Sequence, residues 1–173
     1  MFITATRRQL PFFTATLLPL VCLALPAVAA AQGKPITCST IITNEEVVKA
    51  VGVKMDDMGD EIRKKGQTEC SWMLRGPLRT VFVSFDDLAS VKESTAGAPD
   101  KYFEFVVANA EETRKGKRVM LSGIGRNAAL VASGYDKDAF QAFVQRPDGV
   151  ASITTMGLSK AQVTEVAKAV ATP

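Results

Sequence analysis

Apolar and polar positions alternate through 79–87: Val81, Val83 and Phe85 share one face, and Thr80, Phe82 and Ser84 the other. A period of two is the mark of a half-buried β-strand. The preceding run at 68–75, TECSWMLR, is also strand-like, and Gly76-Pro77 between the two is a turn signal, so the pair predicts an antiparallel hairpin. Four further short strands are expected at 117–123, 128–134, 139–146 and 149–156, with Pro147-Asp148-Gly149 turning between the last two. No crossover helix separates them, so they must pair antiparallel.

Helical periodicity appears in three places. Thr43 and Glu46 have capping-box spacing, Ile42 and Val47 form a hydrophobic staple around them, and Gly52 offers a left-handed end, which predicts a helix over 44–51. The longest helix starts at Pro99, a residue suited to a first turn, and is expected to end at Gly116. Its inner stripe reads as Tyr102, Phe105, Val106 and Ala110, widened by Phe103 and Val107. A second capping box, Ser159 with Gln162, and a staple of Leu158 with Val163 open the last helix. Its inner face is Val163, Val166, Ala167 and Val170. The polar run at 54–67, with Gly59 and Gly66, reads as a loop. The order α-β-β-α-β-β-β-β-α defines an α+β single domain: an antiparallel sheet of about five to six strands with helices packed on one face.

The first 31 residues belong to a different pattern. Arg7 and Arg8 precede an uncharged apolar run from Leu10 to Val28, and small residues at Ala27–Ala31 follow. This is the form of a secretory signal peptide, cleaved near Ala31. Pro11, Pro19 and Pro26 interrupt the apolar run and argue against a retained span. Val21 before Cys22, and Lys34-Pro35 before Cys38, make both cysteines poor lipid-attachment sites. Residues 32–173 are then the expected domain, exported to the periplasm or beyond, with no transmembrane segment left. Without Arg7 and Arg8, 19 basic residues face 18 acidic ones, a charge of about +1. Such a balance gives no reason to expect nucleic acid as a partner.

Cleavage also leaves two cysteines, Cys38 and Cys70. In an exported chain they most simply pair, and closing the loop between them contributes roughly 3 kcal/mol. Two isolated cysteines in a chain without histidine cannot build an ordinary zinc site or a Cys–His nucleophile. Trp72 lies two residues beyond Cys70 and so shares its face of the strand.

Other candidate chemistry is sparse. GIGRNA, with Gly123, Gly125 and Ala128, has the loose spacing of a dinucleotide fingerprint, but a short strand follows where the fingerprint needs a helix, so it reads as a tight turn. Asp56, Asp57, Asp60 and Glu61 lack the spacing of a calcium loop. Neither G-x-S-x-G nor S-x-x-K occurs. No catalytic, cofactor or metal residues are therefore assigned. Arg114, Lys115, Lys117 and Arg118, joined by Arg63, Lys64 and Lys65, form a candidate basic patch, and Phe82, Phe103 and Phe143 are candidates for an exposed apolar one.

The pieces CSTIITNEEVVKAVG, CSW at 70–72, GIGRNA and AQVTEVAKAVA together resemble bacterial exported proteins and lipoproteins of unknown function, of the actinobacterial type. That resemblance implies a compact α+β domain with a Cys38–Cys70 bridge, and no catalytic residues. The expected function is a non-catalytic binding or interaction module of the cell envelope, acting on a protein or envelope component. The alternative is a histidine-free hydrolase, which requires a deep pocket with convergent carboxylates.

Overall fold

A computed structural model describes residues 36–76, 78–94, 98–136 and 138–172. The signal peptide expected at 1–31, with Cys22, lies outside the described residues. The elements run α1 (Cys38–Ile41), α2 (Asn44–Val51), β1 (Met55–Lys64), β2 (Gln67–Leu74), β3 (Arg79–Asp87), α3 (Leu88–Ser94), α4 (Pro99–Arg114), β4 (Arg118–Met120), β5 (Asn127–Ala132), β6 (Ala139–Arg146), β7 (Gly149–Met156) and α5 (Lys160–Ala171). The strands form one antiparallel sheet of seven in the order β1-β2-β3-β7-β6-β5-β4, so the α+β class holds with a wider sheet than expected.

Both capping boxes form. Glu46 N–H donates to Thr43 Oγ1 at 3.2 Å while Glu46 Oε2 accepts from Thr43 N–H at 2.8 Å, and Ser159 with Gln162 repeats the exchange. Gly52 ends α2 in the left-handed region, at φ 70°. Each box satisfies two helix-end groups that would otherwise lack partners.

The helices cover both faces of the sheet, not one. On the inner face, α1, α2 and α5 close a core containing Trp72, Val83, Phe85, Leu130, Ile153, Leu158 and Val166. On the outer face, Phe103, Val107 and Ala110 of α4 and Val91 of α3 pack on Ala129, Val131, Phe143 and Val150. This second core covers β5 and β6 and reaches only part of β7. Among the described residues, the outer face of β1, β2 and β3 is left mostly bare.

Other differences have local causes. The segment that reads as a loop is β1, an edge strand paired only with β2. Bulges between Met55 and Asp57 and between Met58 and Glu61 shift its register twice, so no alternation survives in its sequence, and its charges suit an edge that must not pair further. In α4 the buried stripe is Phe103, Val107 and Ala110, an i, i+4, i+7 series, with Tyr102 and Val106 half-buried and Phe105 65% exposed. The helix ends on Lys115 in the left-handed region; Gly116 follows because a Cβ there would collide with the Ala132 carbonyl. Of the strand expected at 117–123, only 118–120 pairs. The single-turn α1 and the seven-residue α3 carry too few residues to show a period.

Candidate functional site

The bare half of the outer face is the most distinctive surface of the fold. Register defines what it displays. Met73 pairs with Thr80 and Thr80 with Met156; one row over, Ser71 pairs with Phe82 and Phe82 with Thr154; the next row is Glu69, Ser84 and Ser152. Ser152 in turn faces Phe143, which lies under α4, so all three rows belong to the outer face. Phe82 is 39% exposed, Met73 51% and Met156 50%. Each methionine is a diagonal neighbour of Phe82, about 7–8 Å away in an antiparallel sheet, which is within reach of long side chains. The result is an apolar Met–Phe–Met strip on a floor of serine and threonine hydroxyls.

The wall of this surface is the flank of α4. Tyr102 OH donates to Asp86 Oδ2 at 2.9 Å, and Gln67 Nε2 donates to Asp86 Oδ1 and to Ser84 Oγ, each at 3.1 Å. Burial raises the Asp86 carboxyl above its ordinary range, against the lowering effect of these two donors. The Tyr102 hydroxyl is also pushed up, first by burial and then by the Asp86 charge. Every group in the seam has a partner, so it fastens α4 and β3 together and presents no unengaged acid or base.

The sequence candidates separate. Phe82 is on the strip, whereas Phe103, on the inner side of α4, and Phe143, beneath that helix, are buried, which removes them from any surface patch. Met73 and Met156 carry no signal in the sequence; only the β2–β3–β7 register brings them to Phe82. The two groups of basic residues do not come together. Arg63, Lys64 and Lys65 lie on or just beyond β1, at the opposite edge of the sheet from β4, six strand spacings or about 29 Å away. Arg63 pairs with Glu61, and Lys64 with Glu69 at 2.8 Å. At the other edge Arg118 is clamped by Glu104 and Glu111, both at 2.6 Å, and these pairs, Glu104 first, raise its pKa. Arg114 donates to Gln141 Oε1 at 2.8 Å, and burial lowers its pKa. Lys115 caps α4 and stays exposed with Lys117.

Cys38 and Cys70 are bonded, with Cα atoms 5.7 Å apart. The Cys38 N–H donates to Glu61 Oε2 at 3.0 Å, and that bond is the main cause of a lowered Glu61 pKa. Trp72 lies in the same core as the bridge and donates from Nε1 to Asn44 Oδ1 at 2.9 Å. GIGRNA forms the β4–β5 turn, with Gly123 and Gly125 at φ 74° and 54°. A depression of about 340 Å³ lies between α2 and α5 on the other side of the molecule. Its acids serve the helices that frame it: Glu46 caps α2 and Glu165 pairs with Lys168 at 2.6 Å.

Comparison with protein-family models, curated proteins and solved structures finds no significant match to this chain. The fold and its surface therefore stand on their own geometry: an α+β domain whose sheet is helix-covered on one side and half-covered on the other.

Proposed function

We propose that this chain is an exported, non-catalytic interaction module of the cell envelope, and that it docks a protein partner on the bare half of its outer sheet face. The observation that carries this reading is the Met73–Phe82–Met156 strip, an apolar surface kept in water on a sheet whose other half is sealed by α4. Exposed apolar groups gathered on one surface mark interaction sites more often than scattered ones do. Methionines beside an aromatic ring make such a surface adaptable. Small molecules take enclosed pockets, whereas an open sheet face suits a macromolecular surface. The leader-like N-terminus and the Cys38–Cys70 bridge support an oxidising compartment outside the cytoplasm. No cofactor enters the reading.

The test is photocrosslinking in the native envelope, with benzoylphenylalanine placed at position 82 and, as control, at position 168 on α5. A discrete protein adduct from position 82 and none from position 168 is the expected result. No adduct from position 82, or the same products from both positions, would overturn the reading.

A further inference from the structure

The bare strip has a counterpart on the same molecule. At about 100° per residue, the surface of α4 directed away from the sheet carries Lys101, Phe105, Ala108 and Glu112. All four are exposed, Phe105 to 65%. An amphipathic helix that already buries Phe103, Val107 and Ala110 has no internal use for a phenylalanine on its opposite side. Ala108, one turn further on, is small and leaves the helix open to close approach beside that ring. One face of the molecule thus presents a ridge topped by Phe105, and beside it a flat strip of Met73, Phe82 and Met156.

We infer that the partner on this face is a second copy of the chain, placed by a two-fold axis parallel to the strands so that each α4 lies on the other copy's bare strands. This rests on the reading of the strip as a docking surface and names its occupant. A ridge beside a strip is self-complementary: one rotation makes two identical contacts and closes the assembly. The layer spacing also agrees, because α4 forms a single helix layer and two sheets can share one such layer between them.

The charges run in matching order. Hydrogen bonds from Tyr102 to Asp86 and from Gln145 to Asp100 place the start of α4 at the Asp86 end of the sheet, and that from Arg114 to Gln141 places its end towards the Met73–Met156 row. Lys101 therefore projects at the end where the sheet carries Glu69, whose present partner is Lys64 at 2.8 Å, and Asp86, already held by Tyr102 and Gln67. Glu112 projects at the end where Arg75 continues the Met73 parity of β2, with Asp56 the acid that Arg75 meets at 3.0 Å. Rotation about an axis along the strands keeps these levels, so Lys101 comes level with Glu69 and Glu112 with Arg75, each match adding a second partner to an existing pair. A rotation that reversed the levels would set Glu112 against Glu69 and Asp86.

The area sets the strength. A helix of 16 residues is about 24 Å long and about 10 Å wide. Two such contacts, each counted on both surfaces, cover about 1,000 Å² before the α4–α4 contact is added, the low end for a specific interface. A reversible dimer of about micromolar affinity is the expectation.

Sedimentation velocity on the purified exported protein, over a concentration series spanning the micromolar range, tests this. The expected result is a concentration-dependent doubling of mass that Phe105→Ser and Phe82→Ser each weaken by roughly tenfold or more. Phe105 is mostly in water, so Phe105→Ser should leave the melting temperature of the dilute, monomeric protein unchanged and isolate the interface. Benzoylphenylalanine at position 105 should crosslink to the 71–82 or 154–156 segment of another copy. A monomer throughout the series, or a dimer indifferent to both substitutions, would overturn the inference. If the protein is monomeric while position 82 still captures a different envelope protein, the second copy is excluded and the docking surface stands. If position 82 captures nothing, both fall.

Discussion

Arg146 is the buried charge on which the most searching test of this fold can be made. Its side chain is 3% exposed. Nε and Nη2 donate to the two oxygens of Asp148 at 2.8 and 2.7 Å, and Nη1 donates to the carbonyls of Val170 at 3.1 Å and Ile41 at 3.4 Å. The guanidinium carbon sits 5.1 Å from the Phe85 ring centroid. One cation thus holds the β6–β7 turn, the last turn of α5 and the end of α1 together. Asp148→Asn removes the counter-charge with little change in shape. Breaking a buried pair from one side costs about 3–5 kcal/mol. The Asp148 side chain is 43% exposed, so solvent screening reduces the expected loss to about 2–3 kcal/mol. Arg146→Met deletes the cation and keeps an apolar stem; it leaves two carbonyls without their donor, at about 1–3 kcal/mol for each that stays dry. In the Arg146→Met background Asp148→Asn should be almost silent, because no buried charge remains to be neutralised. Urea unfolding, followed by the fluorescence of the only tryptophan, the buried Trp72, reads all four corners of this double-mutant cycle. An Asp148→Asn cost below about 0.5 kcal/mol, or the same cost in both backgrounds, would refute the assignment of Asp148 as the partner that makes Arg146 tolerable.

Two further outcomes follow from the same structure. Replacing both Cys38 and Cys70 by serine should cost about 3–4 kcal/mol by the loop-entropy account for a separation of 32 residues, seen as a lower urea midpoint that reductant reproduces in the parent. Asp86→Asn tests the seam: the folded pKa of Asp86 is raised above 3.8, so folding favours its protonated form, and stability falls as pH rises from 3.8 through the folded value. The substitution should flatten that slope in a pH series of urea midpoints, and an unchanged slope would show that the slope arises elsewhere.

Much of the fold was legible because local signals agreed with the tertiary answer. Both capping boxes, the β2–β3 hairpin, the bounds of β3, β6 and β7, and the pairing of Cys38 with Cys70 all emerge in the structure as the residue types require. Where reading failed, one local rule had been overridden. In β1, two bulges reset the side-chain parity, so an alternation count finds nothing. In α4, the stripe through Tyr102, Phe105 and Val106 and the stripe through Phe103, Val107 and Ala110 are both permitted by a 3.6-residue period, and only packing on Phe143 and Val131 selects the second. Arg146 carried no signal at all, since its acceptors at Ile41 and Val170 are distant in sequence and belong to the backbone.

The half-bare face was nevertheless written in the strands, in the contrast between β5 and β3. In β5 four successive residues, Ala128 to Val131, are apolar and buried, which a strand allows only when both faces are covered. In β3 one parity is Val81, Val83 and Phe85 and the other is Thr80, Phe82 and Ser84, which a strand shows when one face meets water. A sheet containing both kinds of strand must carry a helix layer over part of one face and stop short of the rest. Phe82 then becomes the anomaly, a large aromatic among hydroxyl-bearing residues on the part of the face that the described residues leave open. A threonine there would keep the strand and avoid exposing apolar area, so the fold does not call for phenylalanine. The contact that does is the one to be sought by substitution at Phe82 and at the exposed Phe105.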